Sequence, residues 1–162
     1  MTTPAITWTW ARFEGLSLDD LYDALQLRAR VFILEQGPYL DPDGLDRQSW
    51  HLLGRLAAPQ AGLAAGEPVA CLRVVDEGLK YAEPSIGRVV THAALRGSGL
   101  GRALVAQGVA RCDAAWPGQP NRISAQAHLA GFYSSFGWQP VGEPYLEDNI
   151  PHLEMLRPWP MT

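Results

Sequence analysis

Arg96-Gly97-Ser98-Gly99-Leu100-Gly101 is the stretch that decides how this chain reads. It follows an apolar run, Ile86 to Val90, with the pattern of a buried strand. It precedes Leu100 to Trp116, which reads as a helix. A strand, a glycine-rich turn and a helix N-terminus together make an anion site. Glycine permits positive φ and lets a ligand approach the backbone closely. Several amides can then converge on one point, where the helix dipole also favours negative charge. The expected ligand is a phosphate or pyrophosphate.

The spacing narrows the choice. A P-loop carries Lys and then Ser or Thr after its last glycine, whereas Gly101 is followed by Arg102 and Ala103. The dinucleotide fingerprint is G-x-G-x-x-G. Counted from Gly97 it ends on Arg102, and counted from Gly99 it ends on Leu104. What remains is Arg-x-x-Gly-x-Gly, carried by Arg96, Gly99 and Gly101. On these six residues alone, a plain glycine turn capping a helix is the alternative.

Working outward, the 162 residues fit one domain, 1–162. Hydrophobic residues make up 47% and charged residues 19%, which supports a packed core and argues against disorder. A net charge of −4 argues against nucleic acid as a partner. Cys71 and Cys112 form no C-x-x-C pair, so neither a disulfide nor a metal site is expected. No basic segment followed by an apolar run suggests a signal peptide, and no run approaches the ~18 apolar residues of a membrane span. The expectation is a cytoplasmic chain without a membrane partner.

Alternating Ile6, Trp8 and Trp10 read as a first strand. Ser17 followed by Leu18, Asp19 and Asp20 reads as a helix N-cap, with Gly37-Pro38 closing the helix. Residues 38–49 read as a polar loop. His51 to Ala57 and Val69 to Val75 read as strands joined through 58–66. Arg122 to Ala127, Trp138 to Gly142 and His152 to Arg157 complete about seven strands, with a short helix from Leu129 to Phe136 closed by Gly137. The order β-α-β-β-β-α-β-α-β-β predicts an α/β (α+β) domain with a mixed, mostly antiparallel sheet flanked by helices.

A second motif, Gly131-Phe132-Tyr133-Ser134-Ser135-Phe136-Gly137-Trp138, lies about thirty residues after the first, with a strand between them. Together the two motifs resemble the GCN5-related N-acetyltransferase (GNAT) superfamily. The run Leu27 to Gln36, Pro38-Tyr39, Asp43-Gly44 and Asp46, with Ala125 to Leu129 and the tail Tyr145 to His152, is similar to its ElaA branch. Two departures stand out: Trp138 where Phe is common, and Asn149 where Gly is usual.

The resemblance implies a fold with a splayed cofactor cleft and acetyl-CoA as co-substrate, with no metal. It assigns the pyrophosphate to Arg96, Gly97, Ser98, Gly99, Leu100, Gly101 and Arg102. The pantetheine arm would run along Arg88-Val89-Val90 and enter the gap toward Ser124-Ala125-Gln126. Transfer to an amine calls for loss of a proton from an ammonium of pKa about 10.4. It also calls for a donor to the oxyanion, where an amide near Val89 serves, and for a donor to the leaving thiolate, where Tyr133 serves. Glu35, His51 and His152 are candidate bases, with His128 and Glu147 beside them. The acceptor is a primary amine of a small molecule or a peptide. The exposed final strands suggest a homodimer. Two other readings stay open: an acyl-CoA-binding module without turnover, and an autoinducer-synthase-like acyltransferase, suggested by Arg28, Phe32, Asp43 and Asp46.

Overall fold

A computed structural model describes residues 1–37 and 39–160. Pro38, read above as closing the first helix, lies outside the described residues. Eight strands and three helices follow in order: β1 (Ile6–Arg12), α1 (Leu18–Phe32), β2 (Ser49–Leu56), β3 (Pro68–Val75), β4 (Ser85–Thr91), α2 (Leu100–Ala115), β5 (Asn121–Gln126), α3 (Ala130–Ser134), β6 (Gln139–Pro140), β7 (Tyr145–Glu147) and β8 (Ile150–Arg157).

Two four-stranded arrays result. One has the order β1-β2-β3-β4; in the other, β5-β8-β6, β7 also pairs with β8. Every described strand pair is antiparallel. The expected mixed sheet is thus two antiparallel halves set side by side. The eighth strand is β7, too short and exposed for periodicity to reveal.

The central strands β2 and β3 are buried almost throughout, because helices cover both faces. Leu53, Cys71 and Val90 pack against Ala24, Leu27 and Val31 of α1. Leu52, Leu72 and Ile86 join the larger core with Leu100, Leu104 and Val105 of α2. Gly108 lets α2 approach closely, since a Cβ there would stand 2.8 Å from Leu72.

The Ser17 hydroxyl accepts from the Asp20 amide and caps α1, with Asp19 and Asp20 in the favoured first turn. The helix ends at Phe32, five residues before Gly37, and irregular turns occupy 33–36. The loop predicted over 38–49 includes a 3-10 turn at Leu45–Gln48. Trp138 is fully buried, donates Nε1–H to the Asn121 carbonyl at 3.1 Å and meets Tyr133 edge to face, so the larger ring is absorbed into the core. Asp148 and Asn149 both have positive φ and form the two-residue turn joining Glu147 to Ile150. Asn tolerates that conformation, so the turn survives the loss of glycine.

Candidate active site

The two half-sheets touch along β4 and β5 at one end only. The Arg122 amide donates to the Pro84 carbonyl at 3.2 Å, and the Asn121 side chain accepts from the Ile86 amide at 3.4 Å. Beyond this point each strand pairs only on its outer side among the described residues. A cleft of about 750 Å³ opens there, lined by residues of both strands.

On the β4 side the cleft meets a bulge. Cys71 pairs with Val90 and Arg73 with Gly87, so Arg88 and Val89 stand opposite the single residue Leu72. Arg88 has φ +49, a left-handed conformation that bulky side chains adopt rarely. The bulge redirects the backbone locally and interrupts the ladder beside the cleft. The Arg88 side chain is held firmly: Nε lies 2.8 Å from Asp41, Nη2 donates to the Asp41 carbonyl at 3.0 Å, and the guanidinium sits over Phe32 and Tyr39. Val89 lines the cleft, while Val90 is buried against α1.

The glycine turn begins beyond the cleft's end of β4. Gly97 and Gly99 have φ +83 and +90, and Gly99 is the N-cap of α2. A Cβ at Gly97 would meet nothing within 4 Å, so that side of the turn is open. At Gly99 it would strike the Thr3 hydroxyl at 2.7 Å, because Thr3 donates to the Ser98 carbonyl across the turn. The Ser98 hydroxyl accepts from the Leu100 amide, the Ala103 amide donates to the Gly99 carbonyl, and the Gly101 and Arg102 amides between them have no intrahelical acceptor. The open Gly97 face and the free amides suit an anion. Arg96 is exposed and pairs with Glu35 at 2.9 Å. Arg102 donates to Ser135 and lies over Phe132 and Phe136, tying α2 to α3.

Tyr133 reaches the cleft from α3. Burial alone pushes its phenol up to about 12, so at neutral pH it is a proton donor. Gln126, at the end of β5, lines the cleft and donates to Gln36 at 3.1 Å.

The other wall comes from the β7–β8 hairpin. His152 Nδ1 lies 2.8 Å from the Ile150 carbonyl, which can only accept, so Nδ1 carries a proton. Nε2 lies 3.3 Å from Glu147. The Tyr145 ring stacks on His152, and its hydroxyl is hydrogen-bonded to Ser124. Two carboxylates and an imidazole thus converge on the cleft as Glu147, Asp148 and His152.

On the β4 side of the cleft lies a largely buried ionic network. Arg28 contacts Asp41 at 3.0 Å and Asp46 at 2.8 Å, with both ends almost fully buried. Arg73 contacts Asp43 at 2.6 Å and Asp46 at 3.0 Å. Burial works against charge on Asp43 and Asp46, but the guanidinium hydrogen bonds and charges outweigh it and hold both carboxyls below their usual value. The network fastens the loop after α1 to β3 and to the bulge of β4.

Of the predicted bases, His152 and Glu147 line the cleft. The expectation for His51 and Glu35 is corrected, since neither lines it. His51 is buried, hydrogen-bonded through Nε2 to the Asp46 carbonyl at 2.8 Å, and pushed by burial toward the neutral form. Glu35 lies on the surface with Arg96. His128 is exposed and also outside the cleft. The ionic partners Asp41 and Arg73 escaped sequence reading. The signal was present: Arg73 interrupts an apolar strand, and a buried charge requires a counter-charge.

Residues 63–157 match the model of the acetyltransferase (GNAT) domain. The protein ElaA of Escherichia coli is 40% identical over 155 residues, covering 94% of this chain and 96% of that protein. A UPF0039 protein of Synechocystis sp. is 44% identical over 152 residues, covering 93% and 94%. Among solved structures, an acyl-CoA N-acyltransferase from Pseudomonas aeruginosa superposes with a TM-score of 0.85 at 38% identity, covering 94% of this chain and 99% of the other. The crystal structure of E. coli ElaA gives 0.84 at 39%, with the same coverage.

Proposed function

The chain belongs to the GNAT acetyltransferase family, in its ElaA branch, and on that premise we propose that it transfers an acetyl group from acetyl-CoA to a primary amine by direct attack. The observation that carries this reading is the one-ended contact of β4 and β5, with a phenol and an imidazole on the same cleft. The turn from Gly97 to Gly101 and the helix N-terminus hold the pyrophosphate; Arg96 and Arg102 stand beside it. The edge of β4 at Arg88, Val89 and Val90 receives the pantetheine amides, and Gln126 borders the gap. Acetyl-CoA supplies an activated thioester.

The residues divide the remaining chemistry. His152 Nε2, directly or through water, accepts the proton that an ammonium must lose, and Glu147 stabilises the imidazolium. The bulge at Arg88–Val89 offers an amide to the developing oxyanion. Tyr133 donates its phenolic proton or a hydrogen bond to the departing thiolate.

Calorimetric titration with acetyl-CoA, with S-adenosylmethionine as control, tests the reading. Saturable binding of acetyl-CoA alone, followed by thiol release with a panel of primary amines, is the expected result. Binding without thiol release across the panel would leave the module reading in its place. Absence of binding would overturn the cofactor assignment.

A further inference from the structure

Lys80 is the single lysine of the chain, which otherwise carries its positive side chains as arginine. It lines the acyl-transfer cleft, together with Tyr133, Glu147 and His152. Its loop, between β3 and β4, is fastened at both ends. Arg12 clamps Asp76 at one end, where Trp116 also holds Glu77; Arg122 clamps Glu83 at the other. Within the loop, the Gly78 amide donates to the Tyr81 carbonyl at 2.7 Å. Nζ lies 5.6 Å from the centre of the Tyr81 ring. The one primary amine among the side chains is thus delivered to the cleft on an anchored loop.

We infer that Lys80 is a self-acylation site: with no external amine present, the chain transfers one acetyl group from acetyl-CoA to its own Lys80 Nζ. This inference rests on the reading proposed above. In the step, neutral Nζ attacks the thioester carbonyl, the C–N bond forms and the C–S bond breaks. The amine proton leaves through His152 and Glu147, and the thiolate takes a proton from Tyr133, giving free CoA and an N-acetyl-lysine. Although the side chain is open to the cleft, the protein around it disfavours the ammonium and lowers its pKa from the ordinary 10.5, against the pull of Glu147 and Asp43 and with that of Arg73 and Arg88. Acetylation removes that cation and places an amide among the carboxylates of the wall, so the modified chain meets an external amine with a changed entrance.

Incubation of the purified chain with acetyl-CoA alone, followed by intact mass and tryptic mapping, tests this. The expected result is one acetyl per chain. Trypsin then fails to cut after Lys80 and releases a single peptide from Val74 to Arg88. The rate should be independent of protein concentration and fall at least roughly tenfold in Tyr133→Phe. Lys80→Arg should take no acetyl at this position yet bind acetyl-CoA with unchanged affinity by calorimetry. An unmodified Lys80 in a chain that binds acetyl-CoA would overturn the inference and leave the proposed function standing. So would acetyl found only on the N-terminal amine, an equal rate in Tyr133→Phe or in heat-denatured chain, or a rate proportional to protein concentration. If the titration shows no acetyl-CoA binding, the proposed function falls and the inference falls with it.

Discussion

Beyond one end of the cleft the chain presents backbone: the turn from Gly97 to Gly101, two positive-φ glycines and the first amides of α2. At the other end it presents side chains gathered from far apart in sequence: Tyr39 and Asp43 from the loop after α1, Lys80 from the β3–β4 loop, and Glu147 and His152 from the last hairpin. The first end is local and depends on conformation. The second depends on long-range fastening, chiefly the buried pairs of Arg28 and Arg73 with Asp41, Asp43 and Asp46. Variants at the two ends should therefore fail in different ways.

The largest effect is expected where the fastening is deepest. Arg28→Ala leaves Asp41 and Asp46 with a lost partner in a site almost closed to water. Breaking a buried pair on one side costs about 3–5 kcal/mol, read as a fall in the urea midpoint. The same network sets an acid limit. Asp43 and Asp46 are held below their unfolded value of 3.8. Their contribution is complete above that value and is lost as pH falls through the folded values. Wild-type stability should therefore drop on acidification from about pH 5, and the slope should flatten in Arg28→Ala. An unchanged slope would show that the pairs do not stabilise the fold.

The second effect belongs to chemistry at the meeting point of the two ends. Tyr133→Phe keeps the ring packed against Trp138 and removes only the hydroxyl. A loss of about 10²-fold in kcat is expected, with acetyl-CoA affinity unchanged. A matching loss of affinity would mean that the hydroxyl holds the cofactor and does not serve the leaving group.

These contrasts explain what the sequence discloses. Conformational motifs are written in consecutive residues, so the glycine turn, α2 and the Tyr133 helix are legible from spacing alone. The capping of α1 by Ser17 is legible for the same reason. The ionic network is not, because Arg28, Asp41, Asp46 and Arg73 meet only after β3 and the loop are folded together. His51 is half legible: a histidine at a strand start suggests either a base or a structural hydrogen bond to the preceding loop, and its ring takes the second role, turned to the Asp46 carbonyl and desolvated. The bulge at Arg88 is hidden too, since its signal is ordinarily glycine and here a tethered arginine holds the conformation.

Gly99→Val sharpens the backbone end. The sequence suggests that a branched side chain would fill the phosphate nest. The structure gives another cause: Cβ would strike Thr3, and φ +90 is strained for any L side chain. That strain is worth about 1–2 kcal/mol; relieving it moves the turn's amides away from the ligand, so acetyl-CoA affinity should fall by roughly tenfold while the fold persists. Thr3→Ala in the same background should restore part of the affinity, because it removes the obstacle. No recovery would return the cause to direct obstruction of the ligand.

The smallest effect tests the hairpin that carries Glu147 and His152. Asp148 and Asn149 take φ +52 and +62, the conformation of a primed two-residue turn. Asn adopts it readily and Gly still more so, whereas Ala pays about 1 kcal/mol for it. The turn is exposed, so packing changes little. Asn149→Gly should leave stability equal or a few tenths of a kcal/mol higher, and Asn149→Ala should lower it by about 1 kcal/mol. If the hairpin holds His152 as argued, Asn149→Ala should also lower kcat more than it raises KM for acetyl-CoA, since the cofactor contacts lie at the other end. Equal changes in both would mean that the two ends of the cleft are coupled more tightly than their separate construction implies.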